Sequence, residues 1–355
     1  MLRRYKSQVK SILRALGLRQ GRPPWVVAED QPDRPDPLDE FALYGLVVTW
    51  MEGDVIEATV RNAFAQGCDR VFLVDNGSPD DTVAQAQKAG AELALAYETE
   101  QHDEQLKIRL LNEQVARLSP EADREHVWWM WLDADEFVHG PGGRTVREVL
   151  AGLDRRFRVV GSRYVNHFPD GEPAALPGFH PLDLQPLAEE KAGNMCPLGH
   201  RKHHLQRWDR SGPTVTSGVG FHAATADVTL VEPTISCWTH HFPYRAEAAT
   251  RARMDALCGA DGQGRARTSL HDSRIRRNRG MVSDMTRRYR VLDDVYAGRW
   301  ERVDRLDSLA TGTGVNPRPW DRLADAADVP SARWYTPDEL EAARAAWRQG
   351  AAAGP

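Results

Sequence analysis

The chain has 355 residues, of which 41% are hydrophobic and 27% charged, with a net charge of −5 and a pI near 6.2. That length buries a full core, either in one large α/β domain with appendages or in two modest domains. The acidic balance argues against a general nucleic-acid binder, which needs a broad basic face, and no stretch reaches the roughly 18 apolar residues of a membrane span.

Residues 1–22 carry Arg3, Arg4, Lys6, Lys10, Arg14, Arg19 and Arg22 and no acid, while Leu2, Tyr5, Val9, Ile12, Leu13 and Leu16 recur at helical spacing. This is the pattern of a basic amphipathic helix, which either makes peripheral contact with an anionic membrane or packs against, or frays from, the body. Residues 23–40, rich in Pro and Asp, read as an extended linker. The N-terminus has no continuous apolar signal core, so the expected location is the cytoplasm. Cys68, Cys196, Cys237 and Cys258 show no CxxC spacing and read as buried thiols, not as a zinc site or a disulfide framework.

From residue 41 the segments alternate in type. Leu43 to Thr49 reads as a strand, Asp54 to Gln66 as a helix stopped by Gly67, and Val71 to Val74 as a second strand. A helix ending at Lys88 before Gly90, a strand from Glu92 to Tyr97 and a helix from Asp103 to Leu118 follow. The apolar run Val127, Trp128, Trp129, Met130, Trp131, Leu132 then forms a buried strand. Four strands separated by helices predict a Rossmann-like, mostly parallel α/β sheet flanked by helices, with ligands at the carboxyl ends of its strands. Thr49, Asp75 and Asp133 fall on that rim.

Residues 166–200, rich in Pro and Gly, are expected to be long loops. Lys202 to Trp208, Val228 to Val231 and Ile235 to Thr239 are candidate strands of a less regular acceptor half. Residues 245–300 read as helical and Arg-rich. Near the end, Thr336, Pro337 and Glu339 start a capped helix that Gly350 closes. The expected organisation is a catalytic domain over 41–245 and a helical C-terminal region over 246–355. Eleven Trp suit either core packing or a cleft that stacks rings of sugar or base.

Asp133-Ala134-Asp135 follows the Trp-rich strand directly. Two carboxylates there make a hard oxygen site for Mn²⁺ or Mg²⁺, which keeps remaining positions for water or phosphate oxygens. A cation so held neutralises a departing diphosphate in transfer from a nucleotide-activated donor.

Leu46 to Glu52, then Val71-Phe72-Leu73-Val74-Asp75-Asn76-Gly77-Ser78-Pro79-Asp80-Asp81-Thr82, then Trp131-Leu132-Asp133-Ala134-Asp135-Glu136-Phe137 together resemble GT-A-fold glycosyltransferases of the family 2 type. Lys202 to Arg207, Gly220-Phe221-His222 and His240 to Arg245 resemble later segments of the bacterial branch that builds cell-surface polysaccharide. The resemblance implies a GT-A-like fold and an enzyme moving a sugar from a nucleotide-sugar donor to a glycan or lipid-linked acceptor, with inversion. Thr49, Glu52, Asp75, Asn76, Asp133 and Lys202 would bind the donor. Asp133 and Asp135, completed by His222 or His240, would bind the metal. Where many family members have Lys-Asn-Glu after the first strand, this chain has Trp50-Met51-Glu52, and only the Glu carries over.

No base motif is present, which leaves Glu189, Glu190 and Asp227 as candidates for activating an acceptor hydroxyl. The run Arg274, Arg276, Arg277, Arg279 suits a solvated helix face or a phosphate contact. Two other functions fit the same acids. A nucleotidyltransferase also uses strand-end carboxylates and metal, although Thr49 to Gly53 lacks the Gly-rich basic loop typical of such enzymes. A non-catalytic glycan-binding protein that retains the fold is the third.

Overall fold

The computed structural model describes residues 25–27, 32–99, 103–171, 173–190, 201–258, 292–303, 315–319 and 334–352. The expected helix over 1–22 and the Arg274 to Arg279 run lie outside them. In chain order the elements begin with β1 (Trp25–Val27), β2 (Ala42–Thr49), α1 (Ile56–Ala65), β3 (Arg70–Asp75), α2 (Thr82–Lys88), β4 (Glu92–Ala96), α3 (Glu104–Leu118) and β5 (His126–Asp133). They continue with β6 (Glu136–His139), α4 (Val146–Ala151), β7 (Val159–Phe168), β8 (Leu187–Glu190), β9 (Arg201–Asp209), β10 (Thr216–Ser217), β11 (Ala224–Thr225) and β12 (Leu230–Glu232). The last are β13 (Cys237–His241), α5 (Glu247–Cys258), β14 (Arg318–Pro319) and α6 (Pro337–Ala352).

Among the described residues one large sheet runs β14-β8-β7-β9-β5-β2-β3-β4, and β13 joins the other edge of β7 and carries β6. The β4-β3-β2-β5 half is parallel, as the alternation of strands and helices predicts. Beyond β5 the chain reverses: β9 lies antiparallel to both β5 and β7. The architecture is a mixed α/β one, with helices flanking a sheet whose parallel half presents its carboxyl edge next to the antiparallel half.

Local chemistry sets the boundaries of the parallel half. Gly67 and Gly90 take φ values of 97° and 102°, where a side chain is strained and glycine is not. Each follows a helix, and the amides of Cys68 and Ala91 then bond back to the Ala63 and Ala86 carbonyls at 3.1 and 3.0 Å, the closing bond of a left-handed helix cap. At the start of α3 the Asp103 carboxylate accepts from the Gln105 and Leu106 amides at 2.9 and 3.0 Å, which aims Lys107 at the rim.

β5 is apolar from Val127 to Leu132 because both its faces are covered. Trp128, Met130 and Leu132 pack with α1 and α4, and Val127, Trp129 and Trp131 pack with α3. The strand's three Trp are core residues and do not line a cleft.

The second half departs from expectation. The segment expected to loop from 166 includes the end of β7 and all of β8, because β7 pairs with β8, β9 and β13 and so satisfies its backbone on both edges. The linker region holds β1, which pairs in parallel with β12. The strand expected at Ile235 to Thr239 runs instead from Cys237 to His241, matching its partners on both sides. The Thr336 cap of α6 forms, with Glu339 reciprocating, but the helix continues through Gly350 to Ala352. Trp334 and Arg344 tie this end to Gly178 and Asp183 of the body. No described helix is long and apolar enough to cross a membrane.

Four histidines gather in the core beside Phe242: His139, His167, His180 and His240, none more than 3% exposed. The Nδ1 of His167 donates to the Gln185 carbonyl at 3.0 Å, and its Nε2 lies 2.8 Å from the Nδ1 of His240. Burial pushes His167 down to about 3 and His240 well below its ordinary 6.5. Below pH 6.5 the unfolded chain takes up protons that the folded one refuses, so stability falls by about 1.4 kcal/mol per pH unit for each such His. Raised carboxyls work in the opposite sense, since Glu52 at about 7 and Glu136 above its ordinary value take up protons in the folded chain. In a Glu52→Gln, Glu136→Gln background the urea midpoint is therefore expected to drop from pH 6.5 to 5. A flat midpoint across that interval means that these rings are hydrated.

Candidate active site

The rim is built on a latch between two loops. Three successive amides after β2, those of Met51, Glu52 and Gly53, donate to Ser78 Oγ, Thr82 Oγ1 and Asp80 Oδ2 at 3.0, 2.8 and 3.4 Å. The Ser78 hydroxyl and amide in turn donate to the two carboxylate oxygens of Asp75 at 2.6 and 3.0 Å, an Asx turn. Asn76 accepts from the Thr99 hydroxyl at 3.2 Å, and its amide caps the Thr49 carbonyl at 3.0 Å. Thr49 itself is buried at the end of β2. The contacts of Asp75, Asn76 and Ser78 are thus those of a structural turn that shapes the loop carrying Glu52.

Beyond β5, three carboxylates fall within four residues. Asp133 lies 3.3 Å from Lys107 Nζ and 3.1 Å from Lys202 Nζ. Burial pushes the Asp133 carboxyl up, yet Lys107 and Lys202 outweigh it and hold it well below the usual carboxylate range. Glu136, 1% exposed, is ion-paired to Lys202, accepts from the Tyr164 hydroxyl at 3.0 Å and has His204 Nε2 3.3 Å away. Asp135 faces the opposite way, 3.5 Å from both His241 Nε2 and Arg245 Nη1. Burial raises it as well, and His241 and Arg245 hold it low. Arg245, 1% exposed, also pairs with Glu52 and, at 2.9 Å, with Asp54. Arg253 adds a bond to Glu52 at 2.6 Å. Thr59 of α1 anchors the turn itself by donating to the Ala134 carbonyl.

His240 is not at this rim. Successive strand residues face opposite ways, so His240 shares the core face of β13 with Trp238, while His241 shares the rim face with Thr239. Of the two histidines offered by the sequence, His222 or His240, the structure places His240 in the core against His167. His222, half-buried, follows Phe221, whose ring lies 5.6 Å from Lys107 Nζ and 5.5 Å from Lys202 Nζ. The imidazole facing Asp135 is that of His241. Of the candidate bases, Glu189 pairs in register with Asn166, Asn166 with His241, and His241 with Glu136. These four residues form one polar row across four strands. Glu190 pairs one step along, with Val165, and its side chain lies outside the described residues. Asp227 is exposed in the loop after β11, whose neighbours pack on Val159 at the far end of β7.

Sequence reasoning missed Lys107, Tyr164, Asn166, His241 and Arg245. Of these, His241 had a readable signal: Trp238, His240 and Phe242 recur at the period of a strand's apolar face, which leaves His241 on the other side.

The linked ion pairs join six carboxylates (Glu52, Asp54, Glu104, Asp133, Asp135, Glu136) to four fixed cations (Lys107, Lys202, Arg245, Arg253). Among the described residues these acids outnumber the fixed cations by two, and burial raises Glu52 to about 7 and Glu136 above its ordinary value, so part of that excess is held as protons near neutrality. Among the described residues no three His, Cys, Asp or Glu form a complete metal cage. Asp135 and His241 offer two ligands only, which suits an ion that takes its other ligands from water and substrate phosphate.

No family model and no curated protein matches the chain. Among solved structures it matches glucosyl-3-phosphoglycerate synthase from Mycobacterium tuberculosis with Mg²⁺ and uridine-diphosphate at 17% identity, over 35% of this chain and 43% of that one, with a TM-score of 0.23. The same protein with Mn²⁺, uridine-diphosphate-glucose and phosphoglyceric acid matches at 16% identity over 40% and 52%, TM-score 0.24. With Mn²⁺, uridine-diphosphate and phosphoglyceric acid it matches at 15% identity over 65% and 86%, TM-score 0.30. In the first two of these the chain spans about half of the structure it matches.

Met51 sits in the left-handed region, at φ 54°, a conformation that Asn tolerates and most residues do not. Met51→Asn is expected to raise stability by about 1 kcal/mol, measured by urea denaturation; a lower midpoint shows that the Met side chain's contacts outweigh the strain. Lys202→Met strands Glu136 and is expected to cost about 3–5 kcal/mol. Adding Glu136→Gln should recover much of that loss, whereas additive effects in the double variant deny the coupling.

Proposed function

We propose that the chain is a metal-dependent glycosyltransferase that moves a sugar from a nucleotide-sugar donor to a glycan or lipid-linked acceptor. One observation carries this reading: Asp135 Oδ2 and His241 Nε2 face each other across 3.5 Å at the carboxyl rim of the sheet. Two electron-rich atoms hold that position stably only around a proton or a cation. The spacing is near the roughly 3 Å between neighbouring ligands of a six-coordinate Mg²⁺ or Mn²⁺.

Asp135 and His241 would hold the ion, and the chemistry it supplies is neutralisation of the charge that grows on a departing nucleoside diphosphate. The chain's own residues do the rest. Lys107 and Lys202 keep Asp133 ionised; its side chain, 27% exposed, is open on the cleft side to accept from donor hydroxyls. Arg245 fixes Asp135 and Glu52 relative to each other, so the loop after β2 and the acidic turn close on the donor as one unit. Glu189, two strand spacings or roughly 10 Å from His241 across the sheet, would take the proton of an acceptor hydroxyl on the far side of the transferred sugar. The resemblance of the sequence to family 2 enzymes supports the acceptor class and an inverting outcome, and the basic residues of 1–22 support contact with a membrane that presents the acceptor.

Asp135→Ala is expected to lower transfer or donor hydrolysis in Mn²⁺ on the order of a hundredfold or more. A chelator should abolish wild-type activity and Mn²⁺ restore it. Nucleotide sugars that raise the melting temperature only with Mn²⁺ would name the donor. Full turnover by Asp135→Ala, or release of pyrophosphate in place of nucleoside diphosphate, contradicts the reading.

A further inference from the structure

Asn166 is 5% exposed, lies in β7 between β8 and β13, and has no ion-pairing role in the acid network. Its Oδ1 stands 2.8 Å from His241 Nδ1. An amide oxygen only accepts, so Nδ1 keeps a ring proton whether or not the imidazole is charged, and when the ring is neutral its lone pair is on Nε2. That is the nitrogen 3.5 Å from Asp135 Oδ2. Strand register sets the arrangement, because His241 has Asn166 as its partner on one side and Glu136 on the other. The Tyr164 ring, centred 5.1 Å from the imidazole at 40°, limits its rotation.

We propose that Asn166 is a positioning residue that makes the Asp135 and His241 pair a ligand set for a divalent cation. The inference rests on the metal reading given above and concerns how the chain prepares the site for it. With the proton on Nδ1, the imidazole presents a lone pair to the carboxylate, and the two groups together attract a cation. With the proton on Nε2, the ring donates to Asp135, each satisfies the other, and neither is left for an ion. The choice between these states lies with the group opposite Nδ1. An acceptor there selects the first state; an apolar side chain there removes the selection. The same logic orients many metal-binding histidines through a partner on the far ring nitrogen.

The test uses full-length protein with selectively ¹⁵N-labelled histidine. In metal-free protein at a pH where the ring is neutral, long-range proton–nitrogen correlation should show the His241 proton on Nδ1 in wild type and on Nε2 in Asn166→Ala. Mn²⁺ binding, followed by the electron paramagnetic resonance of the free ion with UDP present, should weaken 10–100-fold in Asn166→Ala. It should persist in Asn166→Asp, which keeps an acceptor in place. Asn166→Leu, close to the amide in shape, should behave as the Ala variant does and separates loss of the acceptor from loss of packing. A wild-type His241 protonated on Nε2 overturns the inference whatever the metal does. Equal Mn²⁺ affinity in wild type and Asn166→Ala, with His241→Ala impaired, overturns it and leaves the metal reading standing. Wild type that binds no Mn²⁺ with UDP, while its tautomer is as expected, overturns the metal reading and with it the purpose assigned to Asn166.

Discussion

A carboxylate taken out of water costs several kcal/mol unless cations and hydrogen-bond donors replace the lost hydration. This chain places three, Asp133, Asp135 and Glu136, within four residues at the end of its central strand, and Glu136 is wholly enclosed. Their compensation comes from four other places: Lys107 from α3, Lys202 from β9, His241 from β13 and Arg245 just after it. The antiparallel half of the sheet is arranged so that these side chains arrive. β9 runs back along β5 because that direction delivers Lys202 to the rim, and β13 runs parallel to β7 because that direction delivers His241. The fold of the second half and the electrostatics of the acidic turn are therefore one problem.

The parallel half was legible from residue pattern alone, because each of its boundaries depends on a local rule. Gly67 and Gly90 end helices by adopting a conformation that other residues resist, Asp103 begins one by capping it, and the Trp-rich run is apolar on both faces because a central parallel strand is covered on both. The second half was not legible in the same way. The end of β7 and all of β8 fall in a segment rich in Pro and Gly, and their strand character comes from pairing with partners far away in sequence, to which local pattern is blind. The site shows the same division. Asp133 and Asp135 stood out as a pair, whereas Lys107, Tyr164 and Asn166 carry no signal until register brings them alongside. His241 lies between these cases, since the alternation of Trp238, His240 and Phe242 already separates a core face from a rim face.

The segment from Asp75 to Thr82 shows how a recognisable motif can serve architecture as much as a ligand. Ser78, Asp80 and Thr82 spend their side chains on the amides after β2, and Asp75 spends its carboxylate on Ser78. The first of the three amide-bearing positions of the neighbouring loop is strained at Met51. An Asn in that place, as in the triplet the sequence departs from, relieves the same backbone without help from its neighbours. The latch and the strained residue belong together: three side chains from one loop hold another in a shape it would not keep alone.

Arg245 gives this arrangement an order in time. Glu52, Asp54 and Asp135 are translated long before the guanidinium that holds all three. A nascent chain that has just passed the acidic turn has only Lys107 of the four cations, with Lys202, Arg245 and Arg253 still unmade. Closure waits for the segment after β13, and the emerging chain sets its acid-lined edge last, when the ribosome is well past the tryptophan strand.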